Sequence, residues 1–247
     1  MSKVRSISRA VKILEAFREG GSPTVSQLSR RLKIPKSSAY EILCTLVDEG
    51  LVEKDGGRYR LGLKLIDLAY SARQNLEVSR VARPFLEKLN EELDETVQLT
   101  VLDGEEILYI DGCESSKQLR TFFELGDRAP LHCTALGKAI LAFLPSGRIE
   151  RILRSRSLRR FTANTLTDRE LLWKDLTETA ARGYSIDDME HEEAVRCVGA
   201  PIRNRGGEVF ASISVSGPSH RMRPERDEEI ARKVVQVAAE ISGRLGY

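Results

Sequence analysis

A proline set between two short amphipathic runs is the feature that most restricts how this chain can fold. Thr24 to Arg60 reads TVSQLSRRLKIPKSSAYEILCTLVDEGLVEKDGGRYR. Thr24 and Gln27 have the spacing of a capping box, opening a helix that buries Val25, Leu28 and Leu32. Ile34-Pro35 ends that helix, because the residue before proline is pushed out of the α region. Pro35 then falls at the first turn of a second helix, where its missing N–H is harmless. Ala39, Ile42, Leu43, Leu46 and Val47 give this second helix one apolar stripe. The opposite stripe is Ser37, Tyr40, Glu41 and Cys44, behind Lys36. It carries hydroxyls and a tyrosine where an ordinary solvent face would carry Lys and Glu. Such an edge suits reading bases and gripping phosphates, aided by the positive potential of the helix amino end.

After Gly50 the period changes to two. Leu51 to Lys54 and Arg58 to Leu61 flank a turn at Asp55-Gly56-Gly57, which is a short basic hairpin. Helices and hairpin together make a winged helix-turn-helix over residues 1–62. It would put Lys36, Ser37, Ser38, Tyr40 and Glu41 in the major groove and Arg58 and Arg60 on phosphate or minor groove. A small helical domain for protein contacts is the competing interpretation of the same pattern. Charge favours DNA: residues 1–62 hold 12 Lys+Arg and 7 Asp+Glu, a balance of +5, against −3 for the remainder. Ile7, Ala10, Val11, Leu14 and Phe17 form the apolar face of an opening helix. Its polar side and leading tail, with Lys3, Arg5, Arg9 and Lys12, either approach the DNA backbone or are simply solvated.

Leu63, Leu65, Ile66, Leu68, Ala69 and Leu76 mark a linker helix over 63–79 that also packs against a second subunit. Pro84 opens the next helix, with Phe85, Leu86, Leu89 and Leu93 inward. Residues 80–247 then alternate strands and helices. Val97, Leu99 and Val101 share a strand face, Ile107 to Ile110 returns, and a third strand covers Leu119–Phe123. Helices follow over Leu136–Leu144 and Thr167–Arg182. Strands Ala194–Arg203 and Glu208–Ser216 join through Asn204-Arg205-Gly206-Gly207, and Ile230 to Leu245 define a last helix. This is an α+β domain on a mainly antiparallel sheet. No apolar run approaches the ~20 residues that cross a bilayer, and Met1 to Arg5 leads into no signal-peptide core. The four cysteines, 44, 113, 133 and 197, show no paired spacing, so a reduced cytoplasmic setting without structural metal or cofactor is expected.

Two segments of the second domain hold more polar chemistry than a core requires. At Pro130 to Lys138 a loop gives way to a helix, leaving the amides of Ala135 and Leu136 accessible to a carboxylate or phosphate; an ordinary cap is the alternative. In Ala211 to Ser216, alternation sets Ser212, Ser214 and Ser216 on one face, toward water or lining a wet cavity. Cys197 and Asp187 could join such a cavity, which would suit a small hydroxy- or keto-acid. His132, His191, Cys197 and Asp187 are also raw material for a Cys-His hydrolase or a metal site. Only three histidines are present, and none sits in a catalytic motif, so no enzyme is expected.

Taken in order, these segments resemble the IclR family of bacterial transcriptional regulators over nearly the whole chain. The resemblance is carried by Ser26 to Ser29, Pro35 to Tyr40, Tyr59 to Gly62, Pro130 to His132 with Gly137 to Ala139, Gly183-Tyr184 through Asp187, Arg196 to Ile202, and Ser212 to Pro218. It implies a winged helix on double-stranded operator DNA, a linker helix aiding dimerisation, and a GAF-like carboxy-terminal domain holding a small organic acid. The family's effector contacts fall on Ala135, Leu136, Asp187, Cys197, Ser214 and Ser216. Members that bind two- or three-carbon acids tend to carry Gly-Ala where this chain has Ala135 and the bulkier Leu136, so the resemblance leaves the identity of the acid open. The resemblance further implies a dimer, often a tetramer, acting as a ligand-responsive repressor or activator. A small-acid enzyme using Cys197 and His132, and a sensor acting through protein contacts, are the alternatives.

Overall fold

In a computed structural model, residues 4–74, 76–155 and 158–247 are described, the side chains of Glu19 and Ser155 excepted. Lys3, and Asn75 within the expected linker, lie outside them. The chain divides into two compact units, Met1–Asn75 and Leu76–Tyr247.

The first unit begins with α1 (Arg5–Ala16) and a 3₁₀ turn, followed by α2 (Val25–Leu32) and α3 (Lys36–Asp48). The capping box closes on α2: Thr24 N–H donates to Gln27 Oε1 at 2.7 Å, and Gln27 N–H donates to Thr24 Oγ1 at 3.4 Å. Lys33 ends α2 in the left-handed region, φ 53°, and Pro35 precedes α3 in extended geometry. β1 (Val52–Asp55) and β2 (Arg58–Leu61) then form the wing, turning through Gly56 and Gly57 at positive φ. Ile13, Phe17, Leu28, Leu43, Leu46 and Tyr59 close the core. Ile7 and Val11 do not join it, contrary to the expected face of α1; they are 63% and 47% exposed. At roughly 100° per residue, Val4, Ile7 and Val11 lie at one edge of an apolar arc too wide for a single neighbour, and the core takes the Ile13 edge. α4 (Lys64–Gln74) follows with no buried side chain, leaving Ile66, Leu68 and Tyr70 exposed.

The linker helix therefore spans Lys64–Gln74 rather than 63–79, and residues 77–79 begin the next helix, α5 (Glu77–Leu93). Pro84 lies inside α5 and does not open it. Proline removes one internal hydrogen bond, but Val78, Ala82, Leu86 and Leu89 are buried on one face on both sides of it. That burial carries the helix through.

β3 (Thr96–Asp103), β4 (Glu106–Cys113), β5 (Arg128–Pro130), β6 (Ser185–Asp188), β7 (Val195–Arg203) and β8 (Val209–Pro218) form one antiparallel sheet ordered β5-β4-β3-β8-β7-β6. One face, with Leu99, Val198, Ile213 and Val215, packs on α5 and α9 (Asp227–Arg244). The other receives α6 (Ala135–Leu141). α7 (Ser146–Ser155) and α8 (Arg169–Arg182) extend that second layer through a core of Ile107, Leu136, Ile140, Ile152 and Leu172. No strand forms at Leu119–Phe123. Side chains anchor that segment instead: Thr121 Oγ1 donates to the Ser216 carbonyl and Thr96 Oγ1 to the Thr121 carbonyl. α6 starts one residue earlier than expected and stops at Leu141, while α7 and β6 had no counterpart in the sequence-based expectations.

Candidate functional site

In the first unit, α3 presents Lys36, Ser37, Tyr40 and Glu41 to solvent, with Ser38 and Cys44 half-buried. Tyr40 is 49% exposed, and the neighbouring Cys44 one turn on raises the pKa of its phenol. The stripe is thus a continuous polar ridge on an amphipathic helix whose other side, Ala39, Leu43 and Leu46, is buried. The wing arginines are exposed but not idle. Arg58 Nη1 donates to the Ser22 carbonyl at 2.9 Å, and Arg60 pairs with Glu53 across the hairpin at 2.7–2.8 Å.

In the second unit the six residues expected to contact an effector all line one cavity of about 170 Å³. Sheet register explains how. Asp187, Cys197 and Ser216 are lateral neighbours on β6, β7 and β8, ending at Thr96 on β3. Two residues along, Ser185, Gly199, Ser214 and Gln98 form a parallel row. Both rows look toward α6, since side chains two apart on a strand share a face. Gly199 is where the helix touches down: a Cβ there would lie 2.9 Å from the Ala135 carbonyl oxygen. Ser185 Oγ donates to that carbonyl at 2.6 Å and Ser212 Oγ to that of Leu136 at 3.0 Å, fixing the helix start over the sheet. Thr134 caps α6 by accepting from Gly137 N–H at 3.0 Å. The first-turn amides of Ala135 and Leu136 have no intrahelical acceptor.

Asp187 is buried and accepts from Glu190 N–H at 2.7 Å. Burial, opposed by that hydrogen bond, pushes its carboxyl up to about 7. Burial likewise pushes the Cys197 thiol well above its ordinary value, with Asp187 adding to the effect. A nucleophilic cysteine needs the reverse shift and a base beside it. His132 instead shares a hydrogen bond at 3.0 Å with the Arg159 carbonyl, and burial lowers its pKa.

Residues outside the expected set complete the cavity. Gln98 joins Ser214 and Ser216 at its floor, while Tyr109, stacked on Phe123 with ring centroids 6.1 Å apart, supplies an aromatic wall. Gln98 was legible in the alternation of Thr96, Gln98 and Thr100 against Val97, Leu99 and Val101. Lys138 and Glu190 lie behind the cavity as a buried ion pair at 2.5 Å, with Asp175 at 3.0 Å from the same ammonium. No periodic pattern marks two residues 52 positions apart as partners.

A family model described as the IclR helix-turn-helix domain matches residues 6–56, and one described as the bacterial transcriptional regulator IclR C-terminal domain matches residues 70–243. The HTH-type transcriptional regulator KdgR of Escherichia coli K12 is 34% identical across 99% of this chain and 94% of its own length. The transcriptional repressor IclR of the same organism is 33% identical across 99% and 91%. Among solved structures, Thermotoga maritima IclR superposes with a TM-score of 0.81 at 32% identity, covering 99% of this chain and all of that one. An IclR homolog from Microbacterium hydrocarbonoxydans, complexed with 4-hydroxybenzoate, gives 0.85 at 27% identity, covering 97% and 98%.

Proposed function

The chain belongs to the IclR family of bacterial transcriptional regulators, and from that premise we propose that it binds operator DNA as a homo-oligomer whose affinity is set by a small organic acid. α3 reads the major groove through Lys36, Ser37, Ser38, Tyr40 and Glu41, and Arg58 and Arg60 hold the backbone or minor groove from the wing. A dimer engages two half-sites on one DNA face, spaced near multiples of ~10 base pairs. The acid occupies the cavity bounded by Ala135, Leu136, Asp187, Cys197, Ser214 and Ser216.

The observation that carries this proposal is the cavity itself. Hydroxyls, a carboxyl and a thiol converge on it beside the aromatic wall of Tyr109, the mixed polar and apolar lining that holds small polar molecules. The relative complexed with 4-hydroxybenzoate supports a carboxylate-bearing occupant of this size class. An apolar cavity of ~150 Å³ accepts benzene, so about 170 Å³ accommodates a small aliphatic or single-ring acid. Binding changes DNA affinity only insofar as the acid favours one arrangement of the two reading units over another.

The direct test is a fluorescence-anisotropy titration of the protein on its own upstream DNA, with and without a panel of small organic acids. A preference for that fragment over bulk DNA, altered by at least one acid, is expected. Absence of preference across a range of ionic strengths would remove the regulatory reading. Turnover of an acid dependent on Cys197 or His132 would replace it with an enzymatic one. A chain that answers acids yet never binds DNA would be a sensor acting through protein contacts.

A further inference from the structure

Gln98 stands on β3 beside Ser214 and Ser216, only 6% exposed, and reaches the cavity. Its Oε1 accepts from Ser214 Oγ at 3.2 Å and from Ser216 Oγ at 3.0 Å. A hydroxyl has one hydrogen to give. Both serines have directed theirs at Gln98, so what they present to the cavity is lone pairs. Gln98 lines the same cavity, and with Oε1 taken by the serines its Nε2, which makes no hydrogen bond among the described residues, keeps two hydrogens to give.

We propose that Gln98 is a ligand contact and sets the specificity of the site: its Nε2 donates to an oxygen of the bound acid, and the serines it holds as acceptors select a hydroxyl over a keto oxygen. The inference rests on the cavity holding an organic acid. A keto oxygen can only accept, so opposite Ser214 it would meet another acceptor in a buried place, and that mismatch is expensive. A hydroxyl donates to Ser214 Oγ and leaves its own lone pairs for other donors. Cys197 keeps its proton and so adds a weak S–H donor rather than an anionic acceptor to the row, and the Asp187 carboxyl is a further acceptor whenever it is ionised. The occupant is therefore a hydroxy acid.

Isothermal titration of the full chain with matched pairs tests this: glycolate against glyoxylate, lactate against pyruvate, and 4-hydroxybenzoate against benzoate. The hydroxyl-bearing member of a binding pair should bind about tenfold tighter or better, the worth of one well-made hydrogen bond. Gln98→Leu frees both serine hydroxyls to donate, and the ratio should fall toward one or reverse. Gln98→Glu keeps an acceptor for the serines but replaces the donor with a carboxylate oxygen, so every acid should weaken about tenfold or more while the ratio holds. Equal or tighter binding of the hydroxyl-free partners, or an unchanged ratio in Gln98→Leu, overturns the proposal; the wild-type ratio decides it even if a variant fails to fold. Binding of none of the six acids is a separate result, which removes the acid-binding reading and this inference with it.

Discussion

Tyr40 on α3 and Gln98 on β3 are both polar side chains assigned here to a partner molecule, yet they are held under opposite constraints. Tyr40 is half exposed, and the fold asks little of it beyond its place beside Cys44. Gln98 is buried, and removing it would orphan two serine hydroxyls. The same contrast runs through the two units. The α3 ridge is built from residues the core does not use, whereas the cavity is built from residues that also hold sheet and α6 together. Substitutions in the first unit should therefore separate function from stability, and in the second they should move both.

The largest effect is expected behind the cavity. Lys138 is 1% exposed. Burial works against its charge, but Glu190 and Asp175 more than offset it, so its pKa ends raised. Lys138→Met would leave Glu190 buried without its cation, at a cost of ~3–5 kcal/mol. Calorimetry should show the melting of the second unit fall steeply; a loss below ~1 kcal/mol would mean water replaces the ammonium and the site is less closed than described.

Asp187 should act in the opposite direction, and its effect depends on pH. Its folded carboxyl is raised to about 7, above the ordinary ~3.9 of an unfolded aspartate, so the folded state holds the proton more tightly. The associated stability is fully present below pH ~4 and is lost as pH rises through 7. Asn keeps an oxygen for Glu190 N–H without the charge. Asp187→Asn should therefore flatten the stability profile between pH 4 and 8 and gain on wild type at pH 8 by up to about 4 kcal/mol, at 1.36 kcal/mol per pH unit. Denaturant melts at the two pH values measure it. A parallel profile would place Asp187 in contact with water. In the same variant the acid response should disappear while operator binding persists.

The two units were also legible in the sequence to different depths. The helices of the first unit were set by local signals: the Thr24–Gln27 box and the Gly56-Gly57 turn formed as expected, and Pro35 stands one residue before α3 rather than in its first turn. Its misreadings were the span of the helix at Lys64–Gln74 and the face of α1, the latter because apolar residues span more arc than the core covers. In the second unit, alternation along Ala211 to Ser216 told which residues share a face, but not that the serine face is closed by α6. Lys138–Glu190, the Ser185 clamp on Ala135 and the side-chain tethering of Thr121 are long-range pairings. Periodicity carries no record of them. Pro84 misled because tertiary burial on both sides outweighs the hydrogen bond it removes.

A smaller effect is expected on the ridge. Tyr40→Ala should weaken operator binding by about 1–3 kcal/mol, the range of a base-edge contact, and should hardly change binding to random DNA or the melting temperature. Anisotropy on operator and scrambled duplexes measures both. Equal losses would make Tyr40 a backbone contact and undo its contrast with Gln98.

The smallest effect concerns the wing, and it asks whether exposed residues there are as free as exposure suggests. Arg60 is 63% exposed, yet its guanidinium lies on Glu53. An exposed pair of this kind contributes ~0–1 kcal/mol to stability, so the fold has little need of it. For DNA the pair matters in two ways: Glu53 neutralises a cation and brings its own negative charge near phosphate. Glu53→Gln should therefore leave the melting temperature nearly unchanged and tighten binding to any duplex a few-fold at low salt. A newly available phosphate contact should steepen the slope of log affinity against log salt by up to ~0.9. If affinity and slope both stay as they were, the hairpin stands clear of the duplex and recognition falls to α3 alone. If they move as expected, Glu53 is a brake on non-specific binding, holding Arg60 until a phosphate competes for it.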